Sequence, residues 1–511
     1  MNNNHIDIVI VGAGPTGLLA ANLLGQAGLS VLLIDKSKEP LNLPRAISID
    51  DEGCRSIDMA GLGAELKSIL KTSEGSRYLN EDGQIVGEVG PGPVEFGWPK
   101  RNIFHQPQLE ALLTNGLKRF PKVHFERATE LTNFHQNSEE VIAKISGYEV
   151  HCQILIAADG ARSQTRELLG VKFPGEAYPQ DWVVLDLHED RDQEPVSKFF
   201  CDPKRPWVSI PTTYGGRRYE FMLLPGEDRQ EILQHGRLKS LLHATRKLTP
   251  QDIMRAAVYT FEARVATTWG QGRVWLAGDA AHLTPPFAGQ GMNAGLRDAT
   301  NLAWKAALVV KGADPSLLKT YEAERKKPAR DMVQLAVAMG EVVMPVGKSS
   351  IYRDALMAGL KRFPGARDFV LGMKFKPPPT YQTGVFIGLD DATQPPASLI
   401  GRMLPNPNIK DNGKIVFLDT LLGTNFTLIA QSEPGRSWLR ELDENTWSIE
   451  LKKVYLSDDT GAPDMKGYRP IRAHRDQVIL LRPDRYVLGA FKPDEADKFL
   501  LNLKTLLFLK Q

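Results

Sequence analysis

The sequence predicts an α/β protein, and three stretches of the chain carry that prediction. The first is an apolar strand that ends in a glycine-rich turn and continues as a helix and a second strand. The second is a middle region, near 176–264, in which strand patterns dominate, and the third is a smaller α/β pattern after about residue 398. Such alternation is typical of sheets that are covered by helices.

Composition excludes several classes of function. The 511 residues are 42% hydrophobic and 24% charged, which is ordinary for a folded chain of two to four domains. A net charge of +2 and the lack of a basic run argue against nucleic-acid and membrane-surface partners. Cys54, Cys152 and Cys201 are too widely spaced for a CxxC metal pair or a disulfide framework, so we expect no metal and a cytoplasmic location. The N-terminus lacks the pattern of a signal peptide, and no apolar run approaches the roughly 20 residues that span a bilayer.

The start of the chain predicts a dinucleotide site. A strand over 6–11 runs into a glycine turn over 12–17, a helix follows, and a second strand over 30–34 ends at Asp35. In this order the first glycine makes the tight turn, the second lets the backbone approach a pyrophosphate, and the third allows close packing of helix on strand. The pyrophosphate would lie at the helix N-terminus, and Asp35 can hydrogen-bond ribose hydroxyls. The expected contacts are Gly12, Gly14, Pro15, Thr16, Gly17, Asp35 and Lys36.

This motif alone does not separate FAD from NAD, and two later segments decide between them. Residues 154–163 predict a strand that enters a sharp turn at Asp159 and Gly160. Residues 273–293 predict a strand with Asp279 at its end, then a Pro/Gly loop and a long helix over about 292–310.

Together the three motifs closely resemble the signatures of the single-component FAD-dependent aromatic hydroxylases, which include phenol and para-hydroxybenzoate hydroxylases. The resemblance covers essentially the whole chain, and segments 44–46, 49–52, 106–110 and 221–228 are most similar to the hydroxylases of 3-(3-hydroxyphenyl)propionate. It implies a Rossmann-like FAD domain of the glutathione-reductase type, an inserted antiparallel β-sheet substrate domain and a thioredoxin-like C-terminal domain.

The resemblance also implies domain boundaries. A discontinuous FAD-binding domain would cover 1–175 and 265–345, and the substrate-binding sheet would cover 176–264. A helical linker would follow over 346–397, and the thioredoxin-like domain would cover 398–511. Because this last domain has no cysteine, dithiol chemistry is excluded and its expected role is packing or contact in a homodimer.

Further FAD contacts follow from the resemblance. Asp279 would accept a hydrogen bond from the ribityl chain, and the helix from Gly291 would direct its N–H groups at the flavin, stabilising the anionic reduced form. Arg45 and Gln106 match positions that contact the middle of the cofactor, although a surface salt bridge and a loop contact are alternatives. The remaining expected contacts are Asp159, Gly278, Gly289, Met292 and Asn293.

The electron donor is expected to bind only transiently. Asp159 and Gly160 touch both FAD and the nicotinamide nucleotide in the family, and the alternative is a turn that caps the next helix. Arg162 and Arg166 are candidates to bind the nucleotide phosphates. The absence of a second complete dinucleotide motif agrees with NADH or NADPH docking in a groove, and it does not decide between the two.

The implied reaction is a monooxygenation with O₂ as co-substrate. The reduced flavin would react with O₂ at C4a, and the hydroperoxide would transfer one oxygen to an electron-rich aromatic ring. A phenol would also need a general base, which the sequence does not identify. His188 and His282 are candidates that a structural role also explains, and the catalytic residues we expect are Pro286, through its carbonyl, and His282. Phe287 would contact the substrate.

The strand over 219–223 is expected to line the substrate pocket with one of its two faces. Of these faces we expect the one that carries Phe221 and Leu223, and the alternative is the face that carries Glu220 and Met222. Arg217 or Arg218 is a candidate to bind a substrate carboxylate bidentately, although a solvated hairpin end also explains both.

The sequence leaves two alternatives open. One is a hydroxylase or epoxidase of an indole, quinolone or polycyclic substrate. The other, of a different class, is a flavin protein without oxygenase chemistry, such as a geranylgeranyl-reductase-like enzyme or a flavin carrier.

Overall fold

The N-terminal βαβ unit organises the first layer of the molecule. The computed structural model describes residues 5–40, 43–242, 247–343, 376–392, 394–456 and 465–508. Strand β1 (His5–Val11), helix α1 (Pro15–Gln26) and strand β2 (Val31–Asp35) form the predicted unit, and β1 pairs with β2 in parallel. The central residues of both strands are fully buried, as a parallel sheet covered on both faces requires.

An eight-stranded sheet extends from this unit. Its other strands are β8 (Val123–Arg127), β9 (Leu131–Gln136), β10 (Val141–Ile145), β11 (Tyr148–Ala157), β17 (Gly270–Gln271) and β18 (Val274–Leu276). The order β17–β18–β11–β1–β2–β8 contains a parallel core from β18 to β8, and β9 and β10 form an antiparallel extension beside β11. The carboxyl ends of β1, β11 and β18 therefore meet at one edge, which brings the three predicted motifs together.

Helices cover this sheet, and α1 packs between two of them. These are α4 (Gln106–Leu117) and α7 (Gly291–Val310), the second of which confirms the helix predicted over 292–310. The other helices of this part are α2 (Asp51–Met59), α3 (Gly63–Ile69), α5 (Gln164–Leu168) and α8 (Lys319–Val343). A small sheet of β3 (Ser48–Asp50), β4 (Lys71–Thr72) and β7 (Arg101–Ile103) lies beside α2.

The second large sheet covers the middle of the chain. It contains β5 (Gly75–Leu79), β6 (Ile85–Val89), β12 (Gly175–Leu187), β13 (Val196–Phe200), β14 (Trp207–Pro211), β15 (Arg217–Met222), β16 (Ile253–Val265) and β19 (His282–Leu283). Their order is β19–β16–β12–β15–β14–β13–β5–β6, antiparallel except for the parallel pair β13–β5. Helix α6 (His235–Leu242) packs on one face.

This sheet is larger than the segment predicted to build it. Strands β5 and β6 lie within 1–175, the stretch assigned to FAD binding, yet β5 pairs with β13 from the middle region and β6 pairs with β5. Strand periodicity shows that a segment is extended, but it does not show which sheet the segment joins, because that depends on pairing across more than 100 residues.

The C-terminal region is a separate four-stranded sheet. Its strands are β22 (Phe426–Ala430), β23 (Leu451–Tyr455), β24 (Val478–Leu481) and β25 (Val487–Phe491), in the order β23–β22–β24–β25. A hairpin of β20 (Asn408–Asp411) and β21 (Lys414–Phe417) precedes it, and helices α9 (Glu433–Glu441), α10 (Met465–Arg472) and α11 (Ala496–Leu506) accompany it. Most of the predicted linker over 346–397 lies outside the described residues, and its described part, 376–392 and 394–397, contains turns rather than helix.

A buried ionic cluster joins α8 to this C-terminal sheet. The Arg482 guanidinium donates two hydrogen bonds to the Glu324 carboxylate, at 3.0 and 2.8 Å, and Lys305 Nζ lies 2.9 Å from the same carboxylate. All three side chains are fully buried.

Within the described residues, no helix combines the length and apolarity needed to cross a membrane.

Candidate active site

Two adjoining cavities follow the carboxyl edge of the first sheet. The larger, of about 340 Å³, lies between that edge and the second sheet, and the smaller, of about 250 Å³, lies at the ends of β1 and β2. Gly14, Arg45, Ala158 and Gly160 line both cavities. The two therefore meet at the glycine turn and provide room for an elongated ligand.

The three glycines of this turn have different surroundings. A Cβ atom on Gly12, where φ is +102°, would lie 2.3 Å from the Ala158 carbonyl oxygen, and one on Gly17 would lie 2.0 Å from the Gly12 carbonyl oxygen. A Cβ atom on Gly14 would meet no atom of the described residues within 4 Å. Gly12 and Gly17 thus allow close backbone packing, whereas Gly14 leaves space at the point where the cavities meet. The described side chains leave the first turn of α1 uncapped, so its N–H groups face that space.

Asp35 lies at the far end of the smaller cavity. Its carboxylate accepts hydrogen bonds from the Ala13 and Ser37 N–H groups, both at 2.8 Å, and so also holds the glycine turn in place. Lys36 lines the same cavity beside it.

The turn after β11 has the capping role that was the alternative for Asp159. The Asp159 carboxylate accepts hydrogen bonds from the Thr165 N–H and hydroxyl, at 3.0 and 2.9 Å, at the start of α5, while it also lines the smaller cavity. Arg166 donates to the Ala280 carbonyl at 3.1 Å and lies over the Phe173 ring. Arg166 therefore braces a neighbouring turn, and Arg162 is the arginine of this pair that lines the cavity.

The turn at Gly278 and Asp279 is held from below by a buried carboxylate. Asp298 Oδ2 accepts hydrogen bonds from the Gly278 N–H at 3.0 Å and from His282 Nε2 at 2.7 Å, while Arg325 Nε donates to its other oxygen at 2.9 Å. Asp279 lines the larger cavity, where burial raises the pKa of its carboxyl and the positive charge of Arg45 opposes that rise.

His282 does not occupy the catalytic position expected for it. It lies outside the walls of both cavities as the described residues define them, and it stacks on Trp269 with ring centroids 5.1 Å apart. Since its Nε2 is hydrogen-bonded to Asp298, His282 positions the Asp279 turn rather than contacting a ligand.

The Pro/Gly loop before α7 forms one wall of the larger cavity. Pro286, Phe287, Gly289, Gly291 and Met292 all line it. Gly289 adopts φ +61°, and a Cβ atom there would lie 2.6 Å from Ser48 Oγ, so this position requires glycine.

Asn293 supports this loop from behind. Its Nδ2 donates to the Gly289 carbonyl at 2.8 Å, and its Oδ1 accepts from the Asp50 N–H at 3.1 Å. Gln106 has a similar double role beside Arg45, because its side chain accepts from the Ala46 N–H and donates to Glu110, both at 2.7 Å, while it lines the larger cavity.

The face of β15 that was expected to line the pocket is the wrong one. Phe221 and Leu223 pack with Leu238 of α6 in an apolar core. Arg218 and Glu220, which alternate with them, line the larger cavity instead. Alternation shows that a strand has two faces, but the choice between them depends on which face α6 covers.

Arg217 is not a substrate ligand in this arrangement either. Its buried guanidinium donates to Ser209 Oγ at 2.7 Å and to the backbone carbonyls of Asp192, Glu194 and Val196, so it ties strands together. Its neighbour Arg218 reaches the cavity wall but is paired with Asp186 through bonds of 2.7 and 3.1 Å.

Arg101 is among the residues of the larger cavity that were not predicted from the sequence, and Glu220 lies on the face of β15 that was the less favoured alternative. Glu220 follows from the same alternation once the correct face is known, and Arg101 begins β7 in a segment without any recognisable motif. Arg101 contacts Ser76 Oγ, and burial lowers the pKa of its guanidinium. The apolar side chains of Phe199, Ile210 and Phe287 complete the wall around these charges.

These features fit FAD. The elongated pair of cavities, the open Cβ position at Gly14 and the uncapped first turn of α1 suit a dinucleotide with its pyrophosphate at the turn. The start of α7, also uncapped by the described side chains, faces the larger cavity, where N–H groups would stabilise negative charge on a flavin ring. Fold and site thus define a flavin-binding α/β protein.

Comparison with known proteins identifies the family. Residues 5–336 match the model of the FAD binding domain, and residues 401–506 match that of the HcaD C-terminal domain. The chain is 36% identical over 516 residues to the 3-(3-hydroxy-phenyl)propionate/3-hydroxycinnamic acid hydroxylase 2 of Burkholderia vietnamiensis, covering 95% of this chain and 94% of that protein. It is 36% identical over 540 residues to the corresponding hydroxylase of Mycolicibacterium smegmatis, covering 99% and 94%. The chain belongs to the single-component FAD-dependent aromatic hydroxylases.

Solved structures share the fold over the whole length. The flavin-dependent monooxygenase PieE, in complex with FAD and substrate, matches with a TM-score of 0.82 at 20% identity and 99% coverage of both chains. Aklavinone-11 hydroxylase, with FAD and aklavinone, matches with a TM-score of 0.81 at 23% identity, covering 99% of this chain and 100% of that one.

Proposed function

We propose that this protein hydroxylates the ring of a phenol that carries an acidic side chain, with NADH or NADPH as electron donor and O₂ as co-substrate. The observation that carries the choice of substrate is Arg101, a half-buried guanidinium on the otherwise mostly apolar wall formed by Phe199, Ile210 and Phe287. Apolar walls accept a ring, and a guanidinium binds a carboxylate through paired, charge-assisted hydrogen bonds.

The other arginines of the larger cavity are less suited to that role. Arg218 is paired with Asp186, and Arg45 lines both cavities, so it lies where the middle of the cofactor would be. The names of the relatives in Burkholderia vietnamiensis and Mycolicibacterium smegmatis, which both denote hydroxylases of aromatic acids, support the same substrate class.

In the reaction the protein binds, orients and protects the reactants. Bound FAD supplies the activation of O₂. The backbone of the glycine turn and the first turns of α1 and α7 would hold the cofactor, and Asp298 with Asn293 keeps the two flavin-facing loops in place. Phe287 packs edge-on against Trp182, with ring centroids 5.8 Å apart, and would shield the aromatic ring of the substrate from water. Pro286 lies beside Phe287 on the wall of the larger cavity.

The experiment compares paired substrates on the variant Arg101→Gln. Loss of a charge-assisted hydrogen bond costs about 1.5–3 kcal/mol, so KM for a hydroxyphenyl acid should rise roughly 10- to 150-fold. KM for the matching primary amide should change little. Arg77→Gln, on the neighbouring strand β5 and paired with Glu88 and Glu194, is the matched control and should behave like the wild type. An equal effect on acid and amide would rule out Arg101 as the carboxylate site, and a panel with indole, quinolone and polycyclic compounds tests the alternative substrates.

The proposal extends to the architecture. We assign a glutathione-reductase-type FAD domain to 1–175 and 265–345, a substrate sheet to 176–264 that β5, β6 and β19 from the flanking segments join, a linker to 346–397 and a thioredoxin-like domain to 398–511. In support, the first sheet has a parallel core with the glycine turn at its carboxyl edge, and the last sheet combines one parallel and two antiparallel pairs. A cytoplasmic location and a homodimer remain predictions.

A further inference from the structure

One carboxylate of the second sheet faces the larger cavity. Among the described residues that line this cavity, only Glu220 and Asp279 carry a carboxylate, and Asp279 belongs to the turn after β18. The Glu220 side chain is 13% exposed, and it accepts no hydrogen bond from any described residue. Its oxygens are therefore free to receive a proton from a ligand in the cavity.

The charges around Glu220 come from three strands and one loop. On β15 the Arg218 Nη1 lies 3.9 Å from a Glu220 oxygen, beyond hydrogen-bond distance. Arg218 is committed to the fully buried Asp186 of β12, which also lies 3.6 Å from Arg255 of β16. Arg45, on the loop before β3, lines the same cavity.

This environment makes Glu220 a stronger base than an exposed carboxylate. Burial raises the pKa of its carboxyl, Arg218 opposes the rise and Asp186 adds to it. The carboxyl remains ionised above that raised pKa, and a base is most effective when its pKa is close to the working pH.

We propose that the Glu220 carboxylate accepts the proton of the substrate's ring hydroxyl, which makes the ring electron-rich enough to be hydroxylated. The O–H bond of the phenol breaks, an O–H bond forms on Glu220, and the electron pair stays on the phenol oxygen. No oxidant or reductant takes part in this step. The inference rests on the proposed function, because it requires a phenol in this cavity.

The position of Glu220 agrees with the acid-binding role of Arg101. Strand β15, which carries Glu220, is separated from β5, whose Ser76 contacts Arg101, by β14 and β13. Three strand spacings amount to roughly 14 Å, and Glu220 and Arg101 both line the same cavity. A ring with a hydroxyl at one end and a short acidic chain at the other would bridge this gap.

The test is the pH profile of hydroxylation at saturating substrate in Glu220→Gln. The wild-type rate should fall as pH drops through the pKa of Glu220, because the base becomes protonated. At neutral pH the rate of hydroxylation by the variant should be roughly 10²- to 10⁴-fold lower than that of the wild type. The variant should lack the fall in rate at low pH (the acid limb), and its rate should recover as pH approaches about 10, where the phenol ionises without a base. Glu220→Asp, the second variant, should keep the acid limb at a reduced rate. Glu231→Gln, an exposed carboxylate beyond the same strand, is the control and should keep the wild-type profile.

Several results would overturn the inference. Glu220→Gln could retain the acid limb of the pH profile. Its rate of hydroxylation could also fall by the same factor at every pH, as expected for a residue with a merely structural role. FAD content and substrate affinity, measured from the flavin spectrum, should stay near wild type in both Glu220 variants. A wild-type enzyme that hydroxylates no phenol would instead refute the proposed function itself, before any variant is compared.

Discussion

A single methyl group at Gly14 should separate cofactor binding from folding. The residue has φ −76° and ψ 179°, which alanine adopts without strain, and its Cβ would meet no atom of the described residues within 4 Å. Alanine in place of glycine stabilises the folded protein by about 0.4–1 kcal/mol, because it lowers the conformational entropy of the unfolded chain. Alanine at a helix N-cap destabilises the folded protein by a similar amount. The two effects offset each other, so the free energy of unfolding of the apoprotein should change by less than about 1 kcal/mol.

FAD binding should respond quite differently to Gly14→Ala. The new methyl group would stand where both cavities meet and where the pyrophosphate approaches the first turn of α1. Loss of one charge-assisted hydrogen bond there costs about 1.5–3 kcal/mol, which predicts a Kd for FAD that is roughly 10- to 150-fold higher.

The assay is titration of the apoprotein with FAD, followed by flavin fluorescence, together with chemical denaturation of the same apoprotein. Gly17→Ala is the matched control, because its Cβ would lie 2.0 Å from the Gly12 carbonyl oxygen and should destabilise the fold as well. Wild-type FAD affinity in Gly14→Ala, or a loss of apoprotein stability comparable to that of Gly17→Ala, would contradict the role of Gly14 in leaving space for the pyrophosphate.

Three further variants test residues that support the site and the fold. Arg217→Met should destabilise by at least about 3 kcal/mol in denaturant, since several buried carbonyls lose a donor at about 1–3 kcal/mol each; a stable variant with a raised substrate KM would make Arg217 a substrate ligand after all. Asn293→Ala leaves the Gly289 carbonyl without its donor and should lower the apoprotein's stability by about 1–3 kcal/mol in the same assay, which an unchanged unfolding curve would contradict. Burial of Glu324 opposes ionisation, but the Arg482 and Lys305 charges outweigh it and lower the pKa of the carboxyl to about 2 from its ordinary 4.5. The stabilisation of the folded protein by this ionised carboxylate is therefore present above pH 4.5 and is lost as pH falls towards 2. Glu324→Gln should therefore cost about 3–5 kcal/mol at pH 7 and flatten the pH dependence between 4.5 and 2, whereas an unchanged slope would exclude Glu324 as its origin.

The parts of the fold that depend on local pattern were predictable from sequence. The βαβ unit, its glycine turn and helix α7 follow from short-range signals: a strand that ends in glycine, and a helical period that begins after a Pro/Gly loop. The family was predictable for the same reason, because its motifs are contiguous stretches of backbone that bind one cofactor.

The substrate side of the site depends on long-range packing, and there the prediction failed. Phe221 and Leu223 are as apolar as pocket residues should be, yet α6 buries them on the far face of β15. Arg217 looked like a ligand by its charge, but the loop before β13 and the first residue of β13, more than 20 residues away, supply carbonyls that bind it. Arg101 of β7 reaches the cavity where it contacts Ser76 of β5, an outer strand of the middle sheet, and no local pattern encodes that arrangement.

Isotope labelling shows whether this chain inserts oxygen from O₂ into an aromatic ring. The purified holoenzyme would be supplied with NADH or NADPH, a hydroxyphenyl acid and ¹⁸O₂, and the product would be analysed by mass spectrometry. One ¹⁸O atom per molecule of hydroxylated product, with one NADH or NADPH consumed, is the expected result. Substrate-stimulated oxidation of NADH or NADPH that leaves no ¹⁸O in the product would contradict it and favour a flavin protein without oxygenase chemistry.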